Sequence, residues 1–181
     1  MKQLILLRHG EAQAQRPGLA DFDRSLTDHG RTEALDAADC LRRIAVRIDA
    51  LLASPARRAR ETALIIAARL DFNRPLLFDP LLYREDMQAL LETAQRCEAD
   101  ARAVLLVAHN PGISLLARHL ANSLLVTREA GAGGTDGQPN LPDGSSAPLS
   151  LTTAGICRIQ FDAASWPELA PQAVKAVSLM R

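Results

Sequence analysis

Three short stretches of the chain carry residue types that could do chemistry together. Arg8-His9-Gly10 follows the aliphatic run Leu4-Ile5-Leu6-Leu7, and His109-Asn110-Pro111-Gly112 follows Val104-Leu105-Leu106-Val107-Ala108. Between them, Leu51-Leu52-Ala53 leads into Ser54-Pro55-Ala56-Arg57-Arg58-Ala59-Arg60. Histidine with arginine suits phosphoryl transfer, which needs a nucleophile aligned with phosphorus and donors for the oxygens that gather charge in the transition state. The neutral imidazole of His9 can attack with one ring nitrogen if the other keeps its proton on an acceptor, and a backbone carbonyl near Gly10 could serve. Arg8 supplies paired donors on a group charged at every relevant pH. His109 adds another donor, and the amides after Asn110 open a helix, whose N-terminus favours an anion. Arg57 and Arg58 sit about 100° apart around a helix start, so only one of them can face a common site squarely.

These side chains need a scaffold that brings distant stretches to one place. An uninterrupted aliphatic run reads as a strand buried on both faces, and in open α/β sheets ligands bind at the carboxyl ends of such strands. After a polar connection from Gln13 to Ser25 that borders the site, Thr27 is placed to N-cap a first helix, with Ala34, Leu35, Ala38, Leu41 and Ile44 at helical spacing. A second strand is expected over 48–53 and a second helix over 58–70, with Ala59, Thr62, Ala63, Ile66 and Ala67 inward. A short strand at 75–78, a helix running to about 99, a strand at 103–108 and a helix from Pro111 to about Leu125, capped by Asn110, follow. Strands alternating with helices imply a largely parallel, helix-covered sheet. Residues 149–161 and 173–179 read as a closing hairpin at an edge. Between them and the last helix, about 128–147 turns to Gly, Pro, Ser, Asn and Asp, a flexible loop that cannot bury enough surface to offset its ordering entropy. Its glycines lack the flanking strand, helix and Gly-Lys-Ser/Thr ending of a phosphate loop.

Composition narrows the rest. At 181 residues and 48% hydrophobic content the chain fits one sizeable α/β core and a single domain over 1–181. Its 21 basic residues balance its 21 acidic ones, so no nucleic acid or anionic membrane is implied as partner and any attraction for phosphate must be local. Cys40, Cys97 and Cys157 lack metal or redox spacing and read as reduced packing residues. Met1-Lys2-Gln3 leaves no room for a signal peptide, and no apolar run suffices for a bilayer, so a soluble, cytoplasmic protein is expected. His29 reads as an exposed first-turn residue and His119, ten positions beyond His109, as structural or exposed.

In combination, the Arg-His-Gly strand end, the Ser54-to-Ala59 segment and the second histidine resemble the histidine phosphatase superfamily, also called phosphoglycerate mutase-like. Within it, the brevity of the chain and His109-Asn110-Pro111-Gly112 are most similar to the SixA-type protein phosphohistidine phosphatases. The resemblance covers roughly 2–125 and recurs at 151–162. It implies a three-layer α/β/α sandwich, mostly parallel with an antiparallel edge. It selects Arg58, which matches Ser-x-x-x-Arg-Ala counted from Ser54, and leaves Arg57 and Arg60 as solvated charges. A phosphohistidine intermediate on His9 is implied, with Arg8, Arg58, His109 and Asn110 binding phosphate or sulfate. The implied substrate is a phosphohistidine-bearing signalling protein. The runner-up is a phosphatase of small phosphate esters or nucleotides; a phosphate-binding module without turnover is disfavoured by the intact Arg8, His9, Arg58 and His109. No metal or other cofactor is called for, since the arginines neutralise the phosphate. Many relatives carry an acid just after the third strand, where this chain has Arg84. Glu85 or Asp86 could be the general acid if the loop bends inward; equally, they could start a helix at the positive end of its dipole. A labile phosphorus–nitrogen bond makes an acid less necessary, and SixA-like enzymes resemble this chain in lacking the usual one.

Overall fold

Leu4 to Leu7 have no accessible surface, because the strand that holds them, β1 (Lys2–Arg8), lies inside a six-stranded sheet. The computed structural model describes residues 1–129 and 149–180. Beyond β1 these form, in chain order, α1 (Asp28–Arg43), β2 (Ala50–Ala53), α2 (Arg57–Arg69), β3 (Leu76–Phe78), α3 (Met87–Gln95), β4 (Ala103–Ala108), α4 (Gly112–Glu129), β5 (Ile156–Phe161) and β6 (Val174–Met180). The sheet order is β3-β2-β4-β1-β5-β6. The first four strands in that order are mutually parallel, and β5 and β6 add antiparallel pairs.

Side chains alternate across a strand, so each face of the sheet meets its own helices. Ile5, Leu7, Leu51, Leu105 and Val107 pack under α1 and α2 with Ala38, Leu41, Ala63 and Ile66. Leu4, Leu6, Leu52, Val104 and Leu106 pack under α3 and α4 with Leu90, Ile113, Leu116 and the buried Trp166. The result is the expected three-layer α/β/α sandwich with a mostly parallel sheet and an antiparallel edge.

Several boundaries differ from expectation. The second strand is shortened to Ala50–Ala53 and the third helix ends at Gln95. The fourth helix begins after Pro111, whose peptide bond with Asn110 is cis, and continues to Glu129. It therefore takes in the first two residues of the expected 128–147 loop; the remainder of that loop lies outside the described residues. Strand β5 starts at Ile156 and lies between β1 and β6, so of the two closing strands β6 alone is at an edge. Leu35 is 44% exposed, because the buried stripe of α1 runs through Ala34, Ala37, Ala38 and Leu41 and leaves Leu35 about 100° away from Ala34.

One close approach fixes the entry to α1. A Cβ at Gly30 would fall 2.0 Å from the Glu11 carbonyl oxygen, and one at Gly10 would fall 2.4 Å from the Gly30 carbonyl oxygen. The connection leaving β1 therefore lies directly on the first turn of α1, where only hydrogen side chains fit. Thr27 caps that turn, its hydroxyl oxygen accepting from the Gly30 amide at 3.0 Å.

Candidate active site

Three adjacent parallel strands deliver the candidate residues to one end of the sheet. Arg8 is in register with Ala108 on β4, and Ala53 on β2 with Val107. Just past those pairs the His9 amide donates to the Ala108 carbonyl at 3.2 Å and the Ser54 amide to the Val107 carbonyl at 2.9 Å. The sheet ladder thus places His9, Ser54 and His109 side by side, with the imidazole centroids of His9 and His109 4.9 Å apart.

Both nitrogens of His9 are engaged. Nδ1 lies 2.7 Å from the Gly10 carbonyl oxygen, and Arg58 Nε donates to Nε2 at 3.2 Å. A carbonyl can only accept, so Nδ1 carries the proton and Nε2 presents a lone pair. Burial pushes the His9 pKa down to about 4, against the Gly10 hydrogen bond and assisted by the charges of Arg58, Arg8 and Arg24. At neutral pH the ring is therefore uncharged. The expectation that a carbonyl near Gly10 would fix the tautomer holds in the geometry.

His109 Nε2 lies 2.7 Å from Ser54 Oγ, which also accepts from the Ala56 amide at 3.2 Å. A Ser54 hydroxyl that donates to Nε2 leaves the His109 proton for Nδ1. That nitrogen is buried and finds no partner among the described residues, and neither does Arg8 Nε. Buried donors without acceptors are costly, and two of them beside the His9 ring would suit an anionic oxygen. Burial, with the His9 and Arg58 charges, holds the His109 pKa down at about 3. The Arg8 guanidinium is anchored by Nη1 donating to the Leu151 carbonyl at 3.0 Å.

Of the three arginines at the start of α2, only Arg58 faces inward. It is 4% exposed, whereas Arg57 pairs with Glu61 at 2.9 Å on the surface and Arg60 lies over the Phe78 ring. Thr62, a turn further along α2, accepts from the Gly10 amide at 3.1 Å and so ties this helix to the loop that follows His9. Asn110 is spent on structure: its side-chain amide donates to the Leu151 carbonyl at 3.0 Å and its oxygen accepts from Ser114 at 2.6 Å. Asp86 accepts from the Gln88 amide at 3.0 Å as the N-cap of α3. Glu85 and Arg84 are exposed. The backbone of Glu85 lies against Gly112, where a Cβ would come within 2.7 Å of it. His29 is exposed beside Glu33, and His119 is exposed on α4.

Two residues in the site escape a reading of spacing. A 3-10 turn at Asp21–Asp23 folds the connection after β1 back over Arg58. Arg58 donates through Nη1 to the Asp21 carbonyl at 2.6 Å and through Nη2 to its carboxylate at 2.9 Å. The same carboxylate accepts from Tyr83 Oη at 3.1 Å and from Arg24 Nη1 at 2.8 Å. Burial, which alone would raise its pKa, is outweighed by the bonds from Arg24 and Arg58, and Asp21 titrates at about 2. Tyr83 packs edge-on against both His109 and Phe22. Nothing in the one-dimensional pattern marks Asp21 among the acidic residues of its connection, since its role depends on how the turn folds.

Comparison with known proteins agrees with this geometry. Residues 4–85 match the model of the histidine phosphatase superfamily (branch 1). An uncharacterized protein of Picosynechococcus is 36% identical over 121 residues, covering 66% of this chain and 73% of the relative. A structure from Nakamurella multipartitia, assigned as a phosphohistidine phosphatase SixA, superposes with a TM-score of 0.75 at 25% identity over 98% of this chain and 95% of that one. The protein histidine phosphatase SixA complexed with tungstate shares the fold, with a TM-score of 0.67 at 23% identity over 88% of each chain. This chain belongs to the histidine phosphatase superfamily and is SixA-like within it.

Proposed function

We propose that the protein is a phosphatase that works through a phosphoryl group carried on His9 Nε2, and that its substrate is phosphohistidine on a soluble signalling protein. The observation that carries the reading is the His9 ring itself: neutral, with Nδ1 held on the Gly10 carbonyl and its lone pair at Nε2 facing the Arg58 guanidinium. Attack by Nε2 on phosphorus forms a bond to the phosphoryl group while the leaving group departs on the far side. Arg8, Arg58 and His109 Nδ1 hold the equatorial oxygens, and the two guanidinium groups offset roughly the charge of a phosphate dianion. Incoming phosphoryl oxygen competes with His9 for Arg58, which frees the lone pair as the substrate arrives. Water then hydrolyses phospho-His9.

Neither Glu85 nor Asp86 is poised to protonate a leaving group, which favours substrates that depart readily. The similarity to the SixA structures supports the same substrate class. We read the chain as one domain acting in the cytoplasm without a metal. Among the described residues, no helix is long and apolar enough to cross a membrane. The test is turnover of a histidine-phosphorylated protein beside p-nitrophenyl phosphate and an alkyl phosphate, with enzyme quenched in alkaline denaturant and mapped for acid-labile phosphate. Rapid release from the first two, slow release from the third and label on His9 are expected. Preference for the alkyl ester would place the protein with the small-molecule phosphatases.

A further inference from the structure

We infer that Asp21 reads the leaving group: its carboxylate accepts the N–H of a departing imidazole, so that the site prefers phosphorylated histidine to phosphate esters. The inference rests on the phosphohistidine reading above and deepens it.

The chemistry of phosphorus–nitrogen cleavage sets the requirement. A phosphorylated imidazole leaves readily when its other ring nitrogen is protonated, because the electron pair of the breaking bond then stays on a neutral imidazole. His9 receives the phosphoryl group in that same form, with its proton retained on Nδ1 by the Gly10 carbonyl at 2.7 Å. Transfer between two such rings is balanced when each has an acceptor for its remaining N–H. Bond formation at His9 Nε2 and bond breaking at the substrate nitrogen then move one phosphoryl group and no proton.

Asp21 is placed to be the second acceptor. Its side chain is 41% exposed, at the mouth of the site, while its partner Arg58 is buried and touches the nucleophile. Arg58 Nη2 and Tyr83 Oη both donate to Oδ2, and Arg24 Nη1 donates to Oδ1. When Arg58 turns to phosphoryl oxygens, Oδ2 loses a donor and can take one from the substrate. Arg24 and Tyr83 keep the carboxylate in place and ionised meanwhile. The walls fit a flat ring: Phe22, adjacent to Asp21 and 40% exposed, meets Tyr83 edge-on at 5.3 Å, and Tyr83 meets His109 at 5.6 Å. Glu85 and Asp86 offer no such placement, one being exposed with its backbone on Gly112 and the other capping α3.

The experiment compares kcat/KM for phosphoimidazole and for p-nitrophenyl phosphate, whose phenolate leaves without a proton, in wild type and Asp21→Asn. Both rates will fall where Arg58 loses a charged partner, so the readout is their ratio. The expected result is a drop of at least about tenfold in the phosphoimidazole-to-ester ratio, the scale of a lost hydrogen bond to a charged group. A smaller change in the ratio, however far both rates fall, would show that Asp21 only positions Arg58 and would overturn the inference while leaving the phosphohistidine reading intact. Wild-type enzyme that hydrolyses the ester but not phosphoimidazole would overturn that reading and the inference with it. Should Asp21→Asn not fold, Asp21→Ser reads the same ratio.

Discussion

His9 lies at the end of β1, outside both apolar clusters of the core, so His9→Ala is expected to abolish turnover while the protein still unfolds cooperatively, and no acid-labile phosphate should be trapped on it. Label recovered at another residue of the wild type would reassign the nucleophile. Arg58→Ala should cost about 10² to 10³ in kcat, the scale of one donor to developing charge. Arg57→Ala should stay close to wild type in the same assay, because its partner Glu61 is engaged at the surface. The reverse order would mean that the helix start is turned by one residue. His9 and His109 were legible because they sit at strand ends, where aliphatic runs stop, and Arg58 because it matches the family's Ser-x-x-x-Arg-Ala pattern counted from Ser54. Asp21 and Tyr83 were not. Asp21 meets Arg58 from a 3-10 turn and Tyr83 meets Asp21 from the segment before α3, and no periodicity fixes the path of either.

Elements convert those side chains into a geometry. Gly30→Ala would press a methyl group into the Glu11 carbonyl oxygen, and the strain should destabilise the fold by about 1–3 kcal/mol. Because the same loop carries the carbonyl that orients His9, kcat should fall as well, and both effects can be followed by urea unfolding and steady-state rates. The double substitution Glu85→Ala with Asp86→Ala should behave in the opposite way. It removes the α3 cap, which costs about 0.5–2 kcal/mol, and changes phosphohistidine turnover little. A loss above about a hundredfold would identify one of these carboxylates as a general acid. Helix and strand types followed from hydrophobic period, and β4 matched its expected limits of 103–108. Boundaries slipped where tertiary contacts decide them. Residues 149–155 look like strand but serve as acceptors, the Leu151 carbonyl taking bonds from both Arg8 and Asn110.

At the scale of the whole molecule, the site makes stability depend on pH. His9 and His109 titrate at about 4 and about 3 in the folded protein, against an ordinary value of 6.5. Between those values the unfolded chain binds more protons than the folded one, so stability is full above about pH 6.5 and falls as the pH drops toward 4 and then 3. Urea midpoints measured from pH 7 to pH 4 should fall accordingly, and His109→Gln should flatten the decline. Activity should follow the same direction, kcat/KM rising through the His9 pKa and levelling above it. The sheet that fixes these histidines also divides the site by mechanical support. His9, Ser54 and His109 hang from the hydrogen-bond ladder of β1, β2 and β4, whereas the Asp21–Asp23 turn buries no residue of its own. Segments that bury little open at lower cost than the core. Warming should therefore blur the enzyme before it kills it: as the turn opens and Arg58 loses its partner, hydrolysis slows and discrimination between substrates fades, and the remaining activity ends when the sheet melts.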